Sequence, residues 1–533
     1  MSSAKEPVTR RFGNGLTVLI KEDKSHPVVS LQYWVGTGSM NEGHWQGSGL
    51  SHLLEHLVFK GTEHYSGQDL ARKVQERGGH WNAYTSVNRT VYYIDGPADS
   101  WQIFLNLLTE LVFFPTFPED ELEREKGVVR REMAMYADDP DSVAYQLLMQ
   151  TLYLKHPRRW PVLGEPAAFD CLTRQDVLDY HASRYVPNNV VLSIAGDVDA
   201  AEIFSHLELL VEDLKSRPLN RELIPHEPHQ FGSRRVRKEF AVPYSKLNLA
   251  WRLPCSGHPD TPALSALASI LGGGRSARFY EKFHDRLGLV YSIEVHSNQS
   301  ETDEGAFTIS IDVDRAQRDK VRDLVLQELR NLAQEDFTED LKRVCKQTRV
   351  SRLRRRSSAA GVASEMGADW FGARNLNLSS EWQEAIERVT TEDLHRVCST
   401  WLSSPNVTEV SLDPVGSNAA EEDGSAAGTE TALSEHVLGN GMKVVIREDH
   451  RLPLAYACLA FKAGCRAENE HDAGVTDLMS ECLLKGTATR SAGDIARFLE
   501  DIGGAINTST GNNSLSVGCQ ILAEDLDSGL ELM

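Results

Sequence analysis

Residues 12–23 read FGNGLTVLIKED and residues 438–449 read LGNGMKVVIRED, so one stretch occurs twice in this chain. A second pair follows in the same order, with GLSHLLEHLVFKGT at residues 49–62 and GVTDLMSECLLKGT at residues 474–487. The first pair is offset by 426 residues and the second by 425, so the two copies are collinear. Matches of this length in the same order indicate an internal duplication of one structural unit.

The duplication and the local composition together divide the chain into four segments. Small and acidic residues without hydrophobic periodicity fill the region between the copies, which is typical of a flexible linker. The sequence before this region is too long for one hydrophobic core. We therefore expect a first domain at residues 1–220, a second domain of similar type at 221–415, a linker at 416–431, and a truncated repeat of the first domain at 432–533.

Strand patterns and helix patterns occur in clusters along the first copy. Runs of apolar, β-branched residues at 188–197, 236–242 and 247–253 predict strands, while residues 316–333 and 391–401 have helical periodicity. Such clustering predicts the α+β class, with tandem homologous α/β sandwich domains that each have an antiparallel-rich sheet and helices on one face.

Composition and charge exclude several classes of protein. The 533 residues have a formal net charge of −21, which argues against a nucleic-acid partner, because phosphate requires a basic surface. The basic stretch at 342–356 is interpreted as a solvated helix face, with attraction of acidic peptides or nucleic acid as alternatives. No apolar run is long enough to span a membrane, and no secretory leader is recognised. Eight cysteines without CxxC spacing suit reduced thiols, so we expect a cytoplasmic location.

The stretch His52-Leu-Leu-Glu-His56 contains the sharpest chemical signal. On a helix, residues four apart share a face, so both imidazoles can reach one metal ion. Glu55 borders the same face and is placed to accept a proton from metal-bound water. Histidine pairs at this spacing also occur through ordinary packing, but ionisable groups in so apolar a helix are costly to bury without a partner.

A zinc site of this kind needs a third protein ligand. The acidic helical pattern at 119–132 offers several candidates, among which Glu125 and Glu132 are seven residues apart and share one face. The pattern itself does not choose between these carboxylates.

With a glutamate 76 residues beyond the second histidine, this HxxEH stretch resembles the pitrilysin/insulinase (M16) family of zinc metallopeptidases, which includes mitochondrial processing peptidase. Further similar stretches follow in the order found in that family: residues 78–86, 156–164, 185–197, 272–278 and 287–292. The resemblance covers almost the whole chain, and it implies two halves that close as a clamshell around a peptide chamber.

The resemblance also implies roles for individual residues. One Zn²⁺ per chain would be held by His52, His56 and Glu132, with Glu55 as the general base and Glu125 as a second acid near the metal. The family's substrate-binding strand edge falls on Asn82 and Ala83, which would pair with an extended peptide.

Two departures from the family pattern bear on function. The repeat has Asp477, Ser480 and Glu481 where the first copy has His52, Glu55 and His56, so the second half is expected to lack the metal. The family's substrate-clamping arginine and tyrosine fall on His284 and Tyr291, so only the tyrosine is present. We expect a missing remainder of the second half, or a partner chain in a homo- or heterodimer, to complete the molecule.

These inferences predict a zinc-dependent metalloendopeptidase that hydrolyses peptides or unfolded protein segments. A catalytically silent scaffold or assembly subunit is the alternative from the same family. A metal-dependent hydrolase of a non-peptide substrate is a further alternative, which the strand edge at Asn82 disfavours.

Overall fold

The computed structural model describes most of the chain, namely residues 6–219, 222–300, 305–402, 406–416, 434–446, 454–464, 466, 468–469, 471–502, 504–511 and 513–533. Two compact units are present, Met1–Glu422 and Asp423–Met533, and each is described by itself. Apart from Gly416, the linker expected at residues 416–431 lies outside the described residues.

The first part of the first unit is built on a six-stranded sheet with the order β1-β2-β6-β3-β5-β4. Its strands are β1 (Val8–Arg11), β2 (Thr17–Glu22), β3 (Val28–Val35), β4 (His80–Thr85), β5 (Thr90–Pro97) and β6 (Val190–Gly196). Its helices are α1 (Leu50–Val58), α2 (Gly67–Glu76), α3 (Trp101–Phe113), α4 (Glu119–Asp138), α5 (Pro140–Leu152), α6 (Pro166–Asp170), α7 (Arg174–Arg184) and α8 (Ala200–Leu210). Only β2 and β6 run parallel, so the sheet is antiparallel-rich.

The second part of this unit repeats the same pairing pattern in a five-stranded sheet with the order β7-β11-β8-β10-β9. Its strands are β7 (Arg234–Phe240), β8 (Ser245–Leu253), β9 (Ser292–Asn298), β10 (Gly305–Val313) and β11 (Thr408–Pro414). Its helices are α9 (Thr261–Gly272), α10 (Arg318–Asn331), α11 (Thr338–Arg355), α12 (Ala359–Ala373), α13 (Leu378–Glu387) and α14 (Thr391–Val397). The one parallel pair, β7 with β11, corresponds to β2 with β6. The α+β class predicted from the sequence is confirmed.

One helix from each part covers the sheet of the other part. On α12, Ala363 and Met366 pack against Trp34 of the first sheet. In return, Leu148 and Leu152 of α5 pack into a buried cluster with residues of β8, β10 and β11. Strand β6 is therefore buried along its whole length, which explains its nearly continuous apolar sequence.

The second unit contains the repeated elements. Its strands are β12 (Ser434–Val437), β13 (Lys443–Ile446), β14 (Leu454–Lys462), β15 (Ala505–Thr510) and β16 (Ser514–Leu522), and its helices are α15 (Val475–Leu483), α16 (Ala492–Asp501) and α17 (Leu526–Leu532). The strands form two sheets, β12-β13 and β14-β16-β15, in the pairing order of β1-β2 and β3-β5-β4. The duplication in sequence is thus a duplication of fold.

The basic stretch at 342–356 lies on α11 and the turn after it. Several of its cations pair with nearby carboxylates: Lys342 with Glu339, Arg343 with Asp340, and both Arg352 and Arg356 with Glu365. Across the described part of the chain, no helix combines the length and apolar character needed to cross a lipid bilayer.

Candidate metal centre

Helix α1 carries the HxxEH stretch, and the buried carboxyl group of Glu42 holds its first turn. The backbone N–H of Ser51 donates to Glu42 Oε1 at 2.8 Å, which satisfies one of the N–H groups that a helix start leaves unpaired. The Ser51 hydroxyl also forms a hydrogen bond with the Tyr180 hydroxyl, at 2.8 Å. Glu42 is 1% exposed, and burial raises its pKa to about 8.

The residue before α1 has to be glycine. Gly49 has φ +73°, and a Cβ there would lie 2.0 Å from the carbonyl oxygen of Leu163. A Cβ on Gly164 would meet Ser48 equally closely, so the two backbones touch. This close approach explains the glycine at the end of the stretch 156–164, because only glycine lets the start of α1 pack directly against that loop.

Helix α4 provides the acidic side of the site. It begins directly after Pro118 and buries Leu122, Glu125, Val129 and Met133 along one face. Glu132 continues this face, two turns beyond Glu125 and one turn beyond Val129. Helix α4 packs against α1. The packing of two amphipathic helices thereby directs both carboxylates towards the histidines.

Three side chains converge where α1 meets α4. Glu132 Oε2 lies 3.8 Å from His52 Nε2 and 3.7 Å from His56 Nε2. One ligand atom from each residue lies within 4.8 Å of the others. Ligand atoms on a tetrahedral zinc ion are about 3.3 Å apart, so a small contraction of this group would fit the ion.

The protonation chemistry of the histidines also suits a cation. Burial, together with the neighbouring His56, lowers the pKa of His52 to about 4, so this imidazole is neutral near pH 7 and free to ligate. Burial lowers the pKa of His56, but the hydrogen bond that His56 donates to Glu125 and the nearby carboxylates of Glu132 and Glu55 have a larger, opposite effect, so the pKa is raised overall. The carboxylates that raise the pKa of His56 would also stabilise a divalent cation at this position.

Glu125 contacts His56 and is not part of the cluster of three potential ligands. Its Oε2 lies 3.1 Å from His56 Nδ1, and its Oε1 lies 2.7 Å from Lys60 Nζ. This contact on Nδ1 leaves Nε2 as the atom that faces Glu132. Burial raises the pKa of Glu125, but the hydrogen bonds from His56 and Lys60 outweigh it, so the pKa is lowered and the group is anionic.

Glu55 lies between the histidines and the sheet edge. Its Oε2 accepts a hydrogen bond from the Thr85 hydroxyl at 2.5 Å. Burial raises the pKa of Glu55, opposed by hydrogen bonds from Thr85 and by the charge of His56. A cavity of about 370 Å³ opens beside it, lined by Glu55, His56, Phe59, Lys60, Trp81, Asn82 and Glu125.

The predicted substrate edge borders this cavity. Asn82 and Ala83 lie on β4, the last strand of the first sheet, and β5 is the one described strand that pairs with it. The side chains of β4 alternate, so that Trp81 and Ala83 pack on the helix side while Asn82 is exposed. The edge of β4 opposite β5 is the kind of edge that can accept an extended segment by main-chain pairing.

The predicted clamp residues make local contacts in the second part of the first unit. Tyr291 donates its hydroxyl to Asp314 at 3.0 Å, packs on Tyr244 and is 55% exposed. His284 stacks on Tyr280 with ring centroids 4.4 Å apart. Among the contacts of the described residues, none joins His284 to Tyr291.

The repeat keeps the framework of the site without its ligands. Glu468 accepts from the backbone N–H groups of Gly474 and Thr476, as Glu42 does from Ser51. Asp477 lies on α15 and accepts a hydrogen bond from Thr510 at 2.9 Å. Within the described ranges, the only cluster of three potential metal ligands is that of His52, His56 and Glu132.

Sequence reasoning missed Glu42 and Thr85. A signal for both was present in the duplication, because Glu42 aligns with Glu468 and Thr85 aligns with Thr510. Residues shared by two copies that differ at the histidine positions point to contacts that hold the helix, and the structure shows the partner atoms.

Comparison with known proteins places the chain in a family. The model described as "Insulinase (Peptidase family M16)" matches residues 17–165 and 443–533, and that described as "Peptidase M16 inactive domain" matches residues 172–347. The chain belongs to the M16 family of peptidases, as its sequence predicted. His52, His56 and Glu132 all fall in the segment matched by the insulinase model.

Individual relatives agree with this assignment. An uncharacterized zinc protease of Rickettsia felis is 27% identical over 74% of this chain and 94% of the relative. One from Mycobacterium tuberculosis is 30% identical over 55% of this chain and 67% of the relative. The crystal structure of a protease from Helicobacter pylori superposes with a TM-score of 0.71 at 26% identity, covering 77% of this chain and 100% of that one.

Proposed function

We propose that this chain is a zinc-dependent endopeptidase that hydrolyses peptides or unfolded protein segments. The observation that carries the proposal is the convergence of His52, His56 and Glu132 beside the carboxylate of Glu55. An edge of β4 that pairs with no other described strand lies next to that carboxylate, which supports a peptide as substrate. Relatives named zinc protease support the choice of metal.

Each residue of the site has a separate role in the proposed reaction. A zinc ion held by His52, His56 and Glu132 would acidify a water molecule and polarise the scissile carbonyl. Glu55 accepts the proton of the attacking water and delivers it to the leaving amine. Glu125 keeps His56 in one tautomer through Nδ1, which leaves Nε2 available as a ligand atom. Strand β4 holds the peptide backbone in extended form beside Glu55.

The test compares the wild type with Glu55→Gln in zinc-containing buffer, using an internally quenched peptide. Wild type is expected to cleave the peptide and to stop when a chelator is added. Glu55→Gln is expected to keep its zinc and to lose activity by roughly 100- to 10,000-fold, because the base is gone. Full activity in the variant would contradict the assignment of the base.

The metal content of two further variants checks the ligand set. Glu132→Gln removes a ligand and should weaken zinc binding more than Glu125→Gln, which removes only the partner of His56. A wild type that binds zinc without cleaving any peptide would instead identify a silent subunit.

A further inference from the structure

Thr85 contacts the carboxylate that the proposed chemistry depends on. It is the last residue of β4, and its side chain points to the helix side of the sheet, as those of Trp81 and Ala83 do. Its hydroxyl donates to Glu55 Oε2 at 2.5 Å. The acceptor lies on α1, one residue before the ligand His56, so this hydrogen bond joins the substrate strand to the metal helix.

A carboxylate at the end of a flexible side chain needs a fixed partner to act as a base. The hydroxyl of Thr85 fixes Oε2 of Glu55, and the backbone of Thr85 also hydrogen-bonds to this carboxylate. Thr85 is itself constrained, because it is β-branched and pairs with Thr90 in the β4–β5 ladder. The position of the base is therefore set by a rigid element.

Comparison with the repeat distinguishes positioning of Glu55 from a bond that merely joins a strand to a helix. Thr510 occupies the corresponding position at the end of β15, and β15 has the same alternation of exposed and half-buried residues as β4. Its hydroxyl also bonds to the neighbouring helix, but the acceptor is Asp477 at 2.9 Å. The position of Glu55 is Ser480 in the repeat. Both copies therefore have a hydrogen bond from the last residue of the strand to the neighbouring helix. Only in the first copy is the acceptor the proposed general base, Glu55.

We propose that Thr85 is a positioning residue for catalysis: its hydroxyl holds Glu55 in place and registers it against the peptide paired with β4. This inference rests on the proposed endopeptidase function. Asn82, Ala83 and Thr85 share one strand, so the substrate backbone and the base are located by the same element.

The experiment uses the full-length, zinc-loaded chain and the quenched peptide, with kcat and KM measured separately. Thr85→Val keeps the shape of the side chain and removes the donor, so kcat is expected to fall about 10- to 100-fold. KM and zinc content should stay within twofold of wild type. Thr85→Ser restores the hydroxyl and should recover kcat to within about threefold.

Thr510→Val is the matched control, because it deletes the equivalent bond where there is no base. It should leave kcat unchanged, even if it lowers the unfolding temperature as much as Thr85→Val does. Should Thr85→Val fold poorly, the pair Thr85→Ala and Thr85→Ser makes the same comparison.

Two results overturn the inference while leaving the proposed function intact: a Thr85→Val enzyme with wild-type kcat, or a Thr85→Ser enzyme as impaired as Thr85→Val. A Thr85→Val protein that has lost its zinc also overturns it, since the residue would then support the metal. Wild type without zinc-dependent cleavage refutes the proposed function itself, and the inference with it.

Discussion

At the scale of single residues, the glutamates near α1 differ in the atoms that they contact. Glu132 faces the Nε2 atoms of both histidines, Glu125 meets Nδ1 of His56, and Glu55 turns to the sheet edge. Glu42 is the most deeply buried of these acids and accepts hydrogen bonds from the backbone at and just before the start of the helix. The chemistry of each acid follows from the atom it meets and not from its residue type.

Glu42 makes the stability of the protein depend on pH. Its folded pKa of about 8 lies above the ordinary value of 4.5, so its stabilising effect is complete below about pH 4.5 and is lost as pH rises through 8. Between these values the free energy of unfolding should fall by up to about 1.4 kcal/mol per pH unit. Glu42→Gln stays neutral and should flatten this decline, measured as urea midpoints at pH 5, 7 and 8.5.

Glu468→Gln is the control for that measurement. Glu468 makes the same type of contact in the repeat, but hydrogen bonds from Thr476 and Gly474 lower its pKa, so its loss should not flatten the decline. An unchanged pH dependence in Glu42→Gln would show that Glu42 is not the group responsible.

At the scale of elements, the site depends on which helix packs on which sheet. Helix α12 follows α11 in the second part of the first unit, yet it covers the outer face of the first sheet. Its Gly367 lies against the indole of Trp34, where a Cβ would be 2.3 Å from Cε2. The small residue lets the helix approach closely enough to bury β3 and β6.

Two glycine-to-alanine changes in helices should therefore have opposite effects. Gly367→Ala forces an atom into the Trp34 ring and should destabilise the protein by about 1–3 kcal/mol. Gly127→Ala on α4 meets nothing closer than Arg131 Nη1 at 3.9 Å and should stabilise by about 0.5–1 kcal/mol, through helix propensity alone. Urea unfolding measures both, and effects of the same sign would contradict this account of how α12 is seated.

At the scale of the whole molecule, two copies of one unit have diverged in their chemistry. The repeat retains the helix start at Glu468 and the strand-to-helix bond at Thr510, but its helix carries Asp477 and Glu481 in place of the histidines. The two copies share these framework contacts, while the cluster of three potential metal ligands in the described ranges lies in the first copy.

This divergence predicts one zinc ion per chain. Purified wild type should contain one equivalent by elemental analysis, and His52→Ala should contain almost none. His64→Ala, which removes an exposed histidine paired with Glu110, and Asp477→Ala should both keep the single equivalent. Two equivalents in the wild type, or loss of zinc from Asp477→Ala, would show that the repeat binds metal.

The sequence alone was sufficient for the duplication, the α+β class and the pairing of His52 with His56. These follow from local regularities: collinear repeats, hydrophobic periodicity and the four-residue spacing of one helix face. The same spacing placed Glu125 and Glu132 on one face of α4 and left both as candidates for the third metal ligand. Only the resemblance to a family favoured Glu132.

Only the tertiary structure decided which acid faces which nitrogen, that Glu42 is buried under the start of α1, and that Thr85 reaches Glu55. Each of these depends on the distance between residues far apart in the chain, which is set by how α1 packs against α4 and β4. Local periodicity fixes the direction in which a side chain leaves its own element. The partner it meets there is fixed by packing, which no short stretch of sequence contains.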